Sequence, residues 1–133
     1  MTVMLVFGEP VDPDAFHDLV TGLDGEPDTS GRLRVSRGAD HVWIHGPEGH
    51  RVYDPEDDAE YEEKLGSPPR EDVTLELSRS PGSPELALEI AEAASRRWNL
   101  IVDNDEDGLF TPAELRTHPP GPSVFWTWPW GWA

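Results

Sequence analysis

The sequence predicts a single α+β domain with a mixed β-sheet, and three observations support this prediction. The chain has 133 residues, of which 36% are hydrophobic, and this is enough material for one domain with its own core. Four capping residues each stand directly before a proline, which is typical of a helix start. Short stretches of alternating apolar and polar residues lie between these positions, as expected for strands.

Four helices are predicted, beginning at Asp12-Pro13, Asp54-Pro55, Ser83-Pro84 and Thr111-Pro112. The third has the clearest helical spacing of apolar residues, which runs as far as Trp98, and Asn99 is expected to close it in the left-handed conformation. The second is short and acidic. Pro119 ends the fourth after one or two turns, because proline cannot continue a helix.

Six strands are predicted, at residues 2–7, 33–36, 41–45, 50–53, 73–77 and 100–102. Two turn sequences make residues 32–53 a three-stranded meander. The last two strands and the helix between them predict a βαβ-like unit, whose two strands would be parallel. We therefore assign residues 1–121 to an acidic α+β domain and residues 122–133 to a Trp-rich C-terminal arm.

The charge of the chain restricts its partners. There are 27 Asp and Glu residues against 10 Lys and Arg, and the formal net charge is -17. Such a surface repels phosphate backbones and anionic lipid headgroups, so we expect no nucleic-acid or membrane binding and favour a basic protein as partner. The chain also lacks Cys and any apolar run long enough to span a membrane, which is typical of a cytoplasmic protein.

The motifs of common enzyme classes are missing from the sequence. It contains no G-x-S-x-G, no H-E-x-x-H, no phosphate-binding glycine loop and no Cys-His pair. Pairs of carboxylates are abundant in a chain with 27 acidic residues, so their presence does not indicate acid–base catalysis. We therefore expect a non-catalytic binding protein.

Residues 103–114 fit the pattern D-x-[DN]-x-[DN]-G-x5-E and resemble the calcium loop of the EF-hand family. The resemblance implies a Ca²⁺ site with these ligands: Asp103, Asp105, Asp107, the carbonyl of Leu109, Thr111 and Glu114. The same residues also fit a strand that leaves through an Asp-Gly turn, followed by a capping box between Thr111 and Glu114. The sequence leaves both interpretations open.

The second predicted helix begins with a dense run of acidic residues. The acids between residues 54 and 63 are Asp54, Glu56, Asp57, Asp58, Glu60, Glu62 and Glu63. They form either an ordinary solvated helix face or a preformed anionic surface that docks on a cationic cleft and associates more slowly as salt rises.

The whole chain is similar, in broad outline, to the small immunity proteins of bacterial polymorphic toxin systems. The features that carry this resemblance are an acidic, cysteine-free α+β chain, a third helix followed by Leu100-Ile101-Val102-Asp103, and the Asp-Gly turn after it. The resemblance implies a stoichiometric inhibitor that covers the active site of a toxin, often a basic nuclease. It implies no catalytic residues.

Three histidines form a weaker candidate site. His41, Trp43 and His45 share one face of a predicted strand, and a four-residue turn would place His50 opposite His45. With Glu48 in the turn this group could hold a zinc ion. Polar residues on a solvent-facing hairpin explain the same pattern.

The C-terminal arm carries four tryptophans at every second position, from Trp126 to Trp132. An extended segment would therefore place all four indoles on one side. The arm either folds back over the core or offers an aromatic face to another chain. We predict that Trp130 and Trp132, beyond Pro129, are available to a partner or to self-association.

Overall fold

The computed structural model of the chain describes residues 2–47, 55–103 and 109–117. The described elements are, in chain order, β1 (Thr2–Phe7), α1 (Pro13–Gly22), β2 (Glu26–Pro27), β3 (Leu33–Arg37), β4 (Asp40–His45), α2 (Pro55–Leu65), β5 (Glu71–Leu77), α3 (Ser83–Ser95), β6 (Leu100–Asp103), β7 (Leu109–Phe110) and α4 (Pro112–Thr117). In this part of the chain no helix has both the length and the apolar character needed to cross a bilayer.

The strands form one sheet in the order β2-β3-β4-β5-β1-β6-β7, and the α+β class is confirmed. The predicted mixed sheet is wrong, because every described strand pairing is antiparallel. The strand β1 lies between β5 and β6 and pairs with both. Thus β5 and β6 run in the same direction without touching, and the predicted βαβ-like unit is split by the N-terminal strand.

The predicted meander is shifted along the chain. Its third strand, at residues 50–53, lies outside the described residues, whereas β2 precedes β3 at the other end of the group. The β3–β4 hairpin closes through Gly38, whose φ of 62° lies in the left-handed region that glycine adopts without strain. Both β2 and β7 contain two residues, too few for a visible alternation of apolar and polar residues.

One face of the sheet, which we call the inner face, carries the main core. Alternate residues of β1, from Val3 to Phe7, pack there against α1, α3 and α4. The rings of Phe7, Phe16 and Trp98 meet at one end of this core, with centroids 5.9 to 6.1 Å apart. Two of the three pairs meet edge to face, the arrangement that aromatic quadrupoles favour.

The predicted helix starts are confirmed at Pro13, Pro55 and Pro112 and differ in detail at α3. Gly82, not Ser83, is the N-cap of α3, and it has no side-chain cap. The Asp40 carboxylate of the β3–β4 hairpin accepts a hydrogen bond from the N–H of this N-cap residue, Gly82, at 3.2 Å. A residue 42 positions away in sequence thus fixes the start of α3.

The predicted end of α3 is wrong. The helix ends at Ser95, before Trp98. Asn99 does not adopt the left-handed conformation, because Asp24 is the one residue other than glycine with a positive φ in the described part of the chain. Asn99 instead links two elements, because its backbone N–H donates to Glu9 at 2.9 Å and its side-chain amide donates to the Leu65 carbonyl at 3.0 Å. Asn99 therefore holds the end of α2 against the start of β6.

The opposite face, the outer face, is covered at one end by α2. A second, smaller apolar cluster forms there from Val6, Ile101, Tyr61 and Leu65, with Met4 and Leu109 at its border. The first two residues point outward from β1 and β6, and the next two are buried residues of α2. Among the described residues, this placement leaves the rest of the outer face without a helix.

Candidate functional site

Two apolar residues attach α2 to the sheet. Tyr61 and Leu65 are four residues apart, so they lie on one face of the helix, and both are buried. The Tyr61 hydroxyl donates a hydrogen bond to the Asp103 carboxylate at 2.7 Å. One face of α2 is therefore held firmly, and the others are turned to solvent.

The solvent side of α2 is strongly acidic. Five of its carboxylates belong to exposed residues, Glu56, Asp57, Glu60, Glu62 and Glu63, while Asp58 is half-buried. The three acids of the first turn are favoured by the positive end of the helix dipole. Lys64 is the basic residue of this helix. Asp54, the remaining member of the predicted acidic run, lies outside the described residues.

The acids of α3 are in a different electrostatic environment. Arg116 of α4 contacts Glu85 at 2.9 Å and Glu92 at 2.6 Å, and Arg37 of β3 contacts Glu89. The hydrogen bonds that Arg116 donates to Glu92 and Glu85 raise the pKa of Arg116, and the bond to Glu92 lowers the pKa of Glu92. All three acids of α3 are thus in contact with arginine, and by composition α2 is the described helix with the largest excess of acidic over basic residues.

Beyond α2, the outer face continues as a surface that no described helix covers. We call it the open floor, and it is formed by Thr2, Arg34, Trp43, Thr74 and Glu76. The strand register places these residues on one side, because Trp43 lies opposite Arg34 on β3 and opposite Glu76 on β5, and Glu76 lies opposite Thr2 on β1. The alternation of residues 41–45 indicated that Trp43 shares a face with two histidines. Only the pairing of β4 with β5 shows that this face adjoins α2.

The predicted calcium loop is described at its two ends. Asp103 ends β6 and accepts the Tyr61 hydrogen bond, and Leu109 belongs to β7. Asp105 and Asp107 lie outside the described residues. Thr111 and Glu114 form the predicted capping box, since the Thr111 N–H donates to Glu114 Oε1 at 2.7 Å and the Glu114 N–H donates to Thr111 Oγ1 at 3.1 Å.

The surroundings of Glu114 differ from those of an EF-hand ligand. Its carboxylate contacts Lys64 Nζ at 2.8 Å, and the hydrogen bonds from Lys64 and Thr111 lower the pKa of Glu114. The element that enters the loop is a strand, whereas a helix enters an EF-hand loop. Among the described residues no three His, Asp or Glu are grouped to hold a metal ion. Calcium binding remains a prediction that a direct measurement decides.

We expect Glu114→Ala to lower the free energy of unfolding by about 1 kcal/mol, the usual value of a helix cap. Denaturation with urea measures this loss. We expect the same loss in EDTA and in millimolar calcium, and Thr111→Ala, which removes the other half of the capping box, should behave alike. A calcium-dependent rise in the melting temperature that Glu114→Ala abolishes would establish the EF-hand interpretation instead.

The other sequence-predicted groups are distributed as follows. His41 Nδ1 lies 2.7 Å from Ser36 Oγ, and His45 Nε2 lies 3.4 Å from the Arg32 guanidinium. His50 and Glu48 lie outside the described residues, so the zinc prediction is untested. Trp130 and Trp132 also lie outside them.

A cavity of about 460 Å³ opens at the end of the sheet, between the first turn of α1 and the strands β3 and β4. Phe16 and Ile44 form part of its apolar wall, and Asp14, His17 and Arg32 are among its polar groups. The Arg32 guanidinium lies 3.4 Å from Asp28 and 3.6 Å from Glu76. Its charge is already matched by these two carboxylates, so the cavity has no excess positive charge with which to hold an anion.

The chain was compared with protein-family models, curated proteins and solved structures, and none of the three comparisons finds a match. The resemblances to EF-hand loops and to immunity proteins therefore remain predictions from the sequence. The described geometry is the basis for a functional assignment.

Proposed function

We propose that this protein is a non-catalytic acidic binding protein that acts as an immunity-type inhibitor of a basic protein partner. The supporting observation is the position of α2, which presents five exposed acidic residues to solvent while its other face packs on the sheet. Because Tyr61 and Leu65 hold the helix in place, the carboxylates are organised before the partner arrives. Little ordering entropy is then lost on binding.

Such an acidic surface attracts a basic partner through long-range electrostatic forces. A chain with a net charge of -17 attracts a cationic protein over a distance that salt sets, about 10 Å at 0.1 M ionic strength. Steering of this kind raises association rates by about 10- to 1,000-fold. The carboxylates of α2 then occupy the places that phosphate groups take in a cationic cleft, so the inhibitor blocks the cleft by covering it.

The experiment begins with capture of the partner from the native host on the tagged full-length chain, followed by purification of that partner. The test variant replaces Glu56, Glu60 and Glu63 by Gln, because these three exposed residues form one stripe at spacings of four and three. We expect the association rate with the purified partner to fall at least about 10-fold at low salt. At high salt the difference should nearly disappear, because the charges are screened.

A matched control removes the same charge elsewhere. Asp18→Asn, Asp24→Asn and Glu26→Gln also change the net charge by three, and all three residues are exposed. They belong to α1, to the turn after it and to β2. The control should lower the association rate less than the α2 variant does. Equal effects would mean that the total charge, and not α2, attracts the partner, and a captured partner that is not basic would contradict the proposal.

A further inference from the structure

We propose that the open floor beside α2 binds the body of the same basic partner, with Trp43 as the residue that anchors it. This inference rests on the proposed function and adds a division of labour: α2 attracts the partner, and Trp43 holds it. The observations that carry it are the register of the outer face, the setting of Trp43 and the position of α2 near one edge of the sheet.

Trp43 stands in the middle of a row of outward-facing residues. Its neighbours across the strands are Arg34 on β3 and Glu76 on β5, and Thr2 follows on β1. The His41 ring lies along the same strand, with its centroid 5.8 Å from that of Trp43. Trp43 is half-buried, as is Arg34. The indole is thus supported by its neighbours and still offers part of its surface.

The described helices leave this row uncovered. The inner face is packed against α1, α3 and α4. On the outer side the structure describes one helix, α2, and its apolar contacts are with Val6, Ile101, Met4 and Leu109 on β1, β6 and β7. Trp43 belongs to neither apolar cluster of the described residues. A large indole on a sheet face that no described helix covers is the kind of residue that dominates the binding energy at protein interfaces.

The position of α2 connects the floor to the partner. The helix α2 lies over β1 and β6, and the next strand beyond β6 is the two-residue edge strand β7. The larger part of the outer face that no described helix covers therefore lies on the other side of α2, over β5 and β4. Trp43 on β4 is two strands from β1, a distance of about 10 Å. A standard interface covers about 800 Å² of each protein, a patch about 28 Å across. A partner whose interface has this width and includes α2 therefore also reaches Trp43.

Charge selects a basic protein rather than a second copy of this chain. Two copies each carry a net charge of -17, so their association is opposed at low salt. The floor itself has both signs, since Arg34 and Glu76 lie on either side of Trp43. Attraction over distance therefore comes from α2, while the floor contributes short-range packing around the indole.

The two roles predict different kinetic effects. Trp43→Ala should raise the dissociation rate of the purified basic partner at least about 10-fold and leave the association rate and its salt dependence almost unchanged. Trp43→Phe should give an intermediate rate. The matched control is Trp98→Phe, because Trp98 is the other described half-buried tryptophan and packs on the inner face with Phe7. This control should not change dissociation.

Each other outcome overturns the inference, and only the last of them also overturns the proposed function. An unchanged dissociation rate in Trp43→Ala, together with slower association in the α2 variant, would remove the anchor and keep the inhibitor. A dimer in sedimentation experiments that Trp43→Ala dissociates would mean that a second copy occupies the floor. A fall of several degrees in the melting temperature of Trp43→Ala without partner would mean that the chain itself covers Trp43. Failure to capture a basic partner would remove both proposals.

Discussion

Replacing Phe16 by alanine is expected to lower the free energy of unfolding by about 3–5 kcal/mol, which is a large share of the stability of a domain this size. Phe16 is fully buried and its ring meets those of Phe7 and Trp98 with centroids 6.1 and 5.9 Å away. Its removal leaves a cavity between α1 and the sheet and also breaks two aromatic contacts. Urea denaturation followed by tryptophan fluorescence measures the loss.

Leu19→Ala is the control for Phe16→Ala. Leu19 lies on the same helix and borders the same core, but it is only partly buried. Its truncation should therefore cost clearly less. A loss below about 1 kcal/mol for Phe16→Ala, within the range of surface substitutions and small repacking effects, would show that the aromatic group does not hold α1 on the sheet.

Replacing Tyr61 by alanine is expected to release α2 from the sheet while the rest of the domain stays folded. Tyr61 is one of two buried residues of this helix, and its hydroxyl bonds Asp103. A helix of 11 residues is marginal in water without packing. The main core on the inner face contains no residue of α2, so it should survive the loss of this contact.

Hydrogen exchange distinguishes this local release from global unfolding. In Tyr61→Ala, amide protection should disappear over residues 55–65 and persist in β1 and β5. Binding of the partner should weaken with it, since the carboxylates are no longer held together. Tyr61→Phe keeps the ring and should cost about 1 kcal/mol, the net value of one hydrogen bond. Loss of protection throughout the chain would contradict a separately attached α2.

The candidate site could be predicted only in part from the sequence. The acidic run was visible as composition, and the proline after Asp54 located the helix that carries it. The capping box at Thr111 and Glu114 was also predictable, because its partners are three residues apart. The contact between Glu114 and Lys64, 50 residues away, was not. The row formed by Arg34, Trp43 and Glu76 depends on strand pairing and left no signal in any single segment.

The sequence by itself determined what short-range chemistry controls. Proline with a preceding cap begins α1 and α4, alternation of apolar and polar residues marks β5, and the apolar run from Val3 to Phe7 marks β1. The excess of acid over base was also a property of the chain alone. These features need no more than the conformational limits of each residue and its neighbours a few positions away.

Only the tertiary structure decided how the elements are combined. It placed β1 between β5 and β6, bonded Asp40 to the N-cap residue of α3, and put α2 on the outer face beside the floor that carries Trp43. Each of these outcomes joins residues far apart in sequence, where the gain from burial and hydrogen bonding must exceed the entropy of closing a long loop. The pattern of apolar and polar residues in one segment does not show this difference in free energy, because the gain from burial depends on which surfaces the other elements leave to be covered.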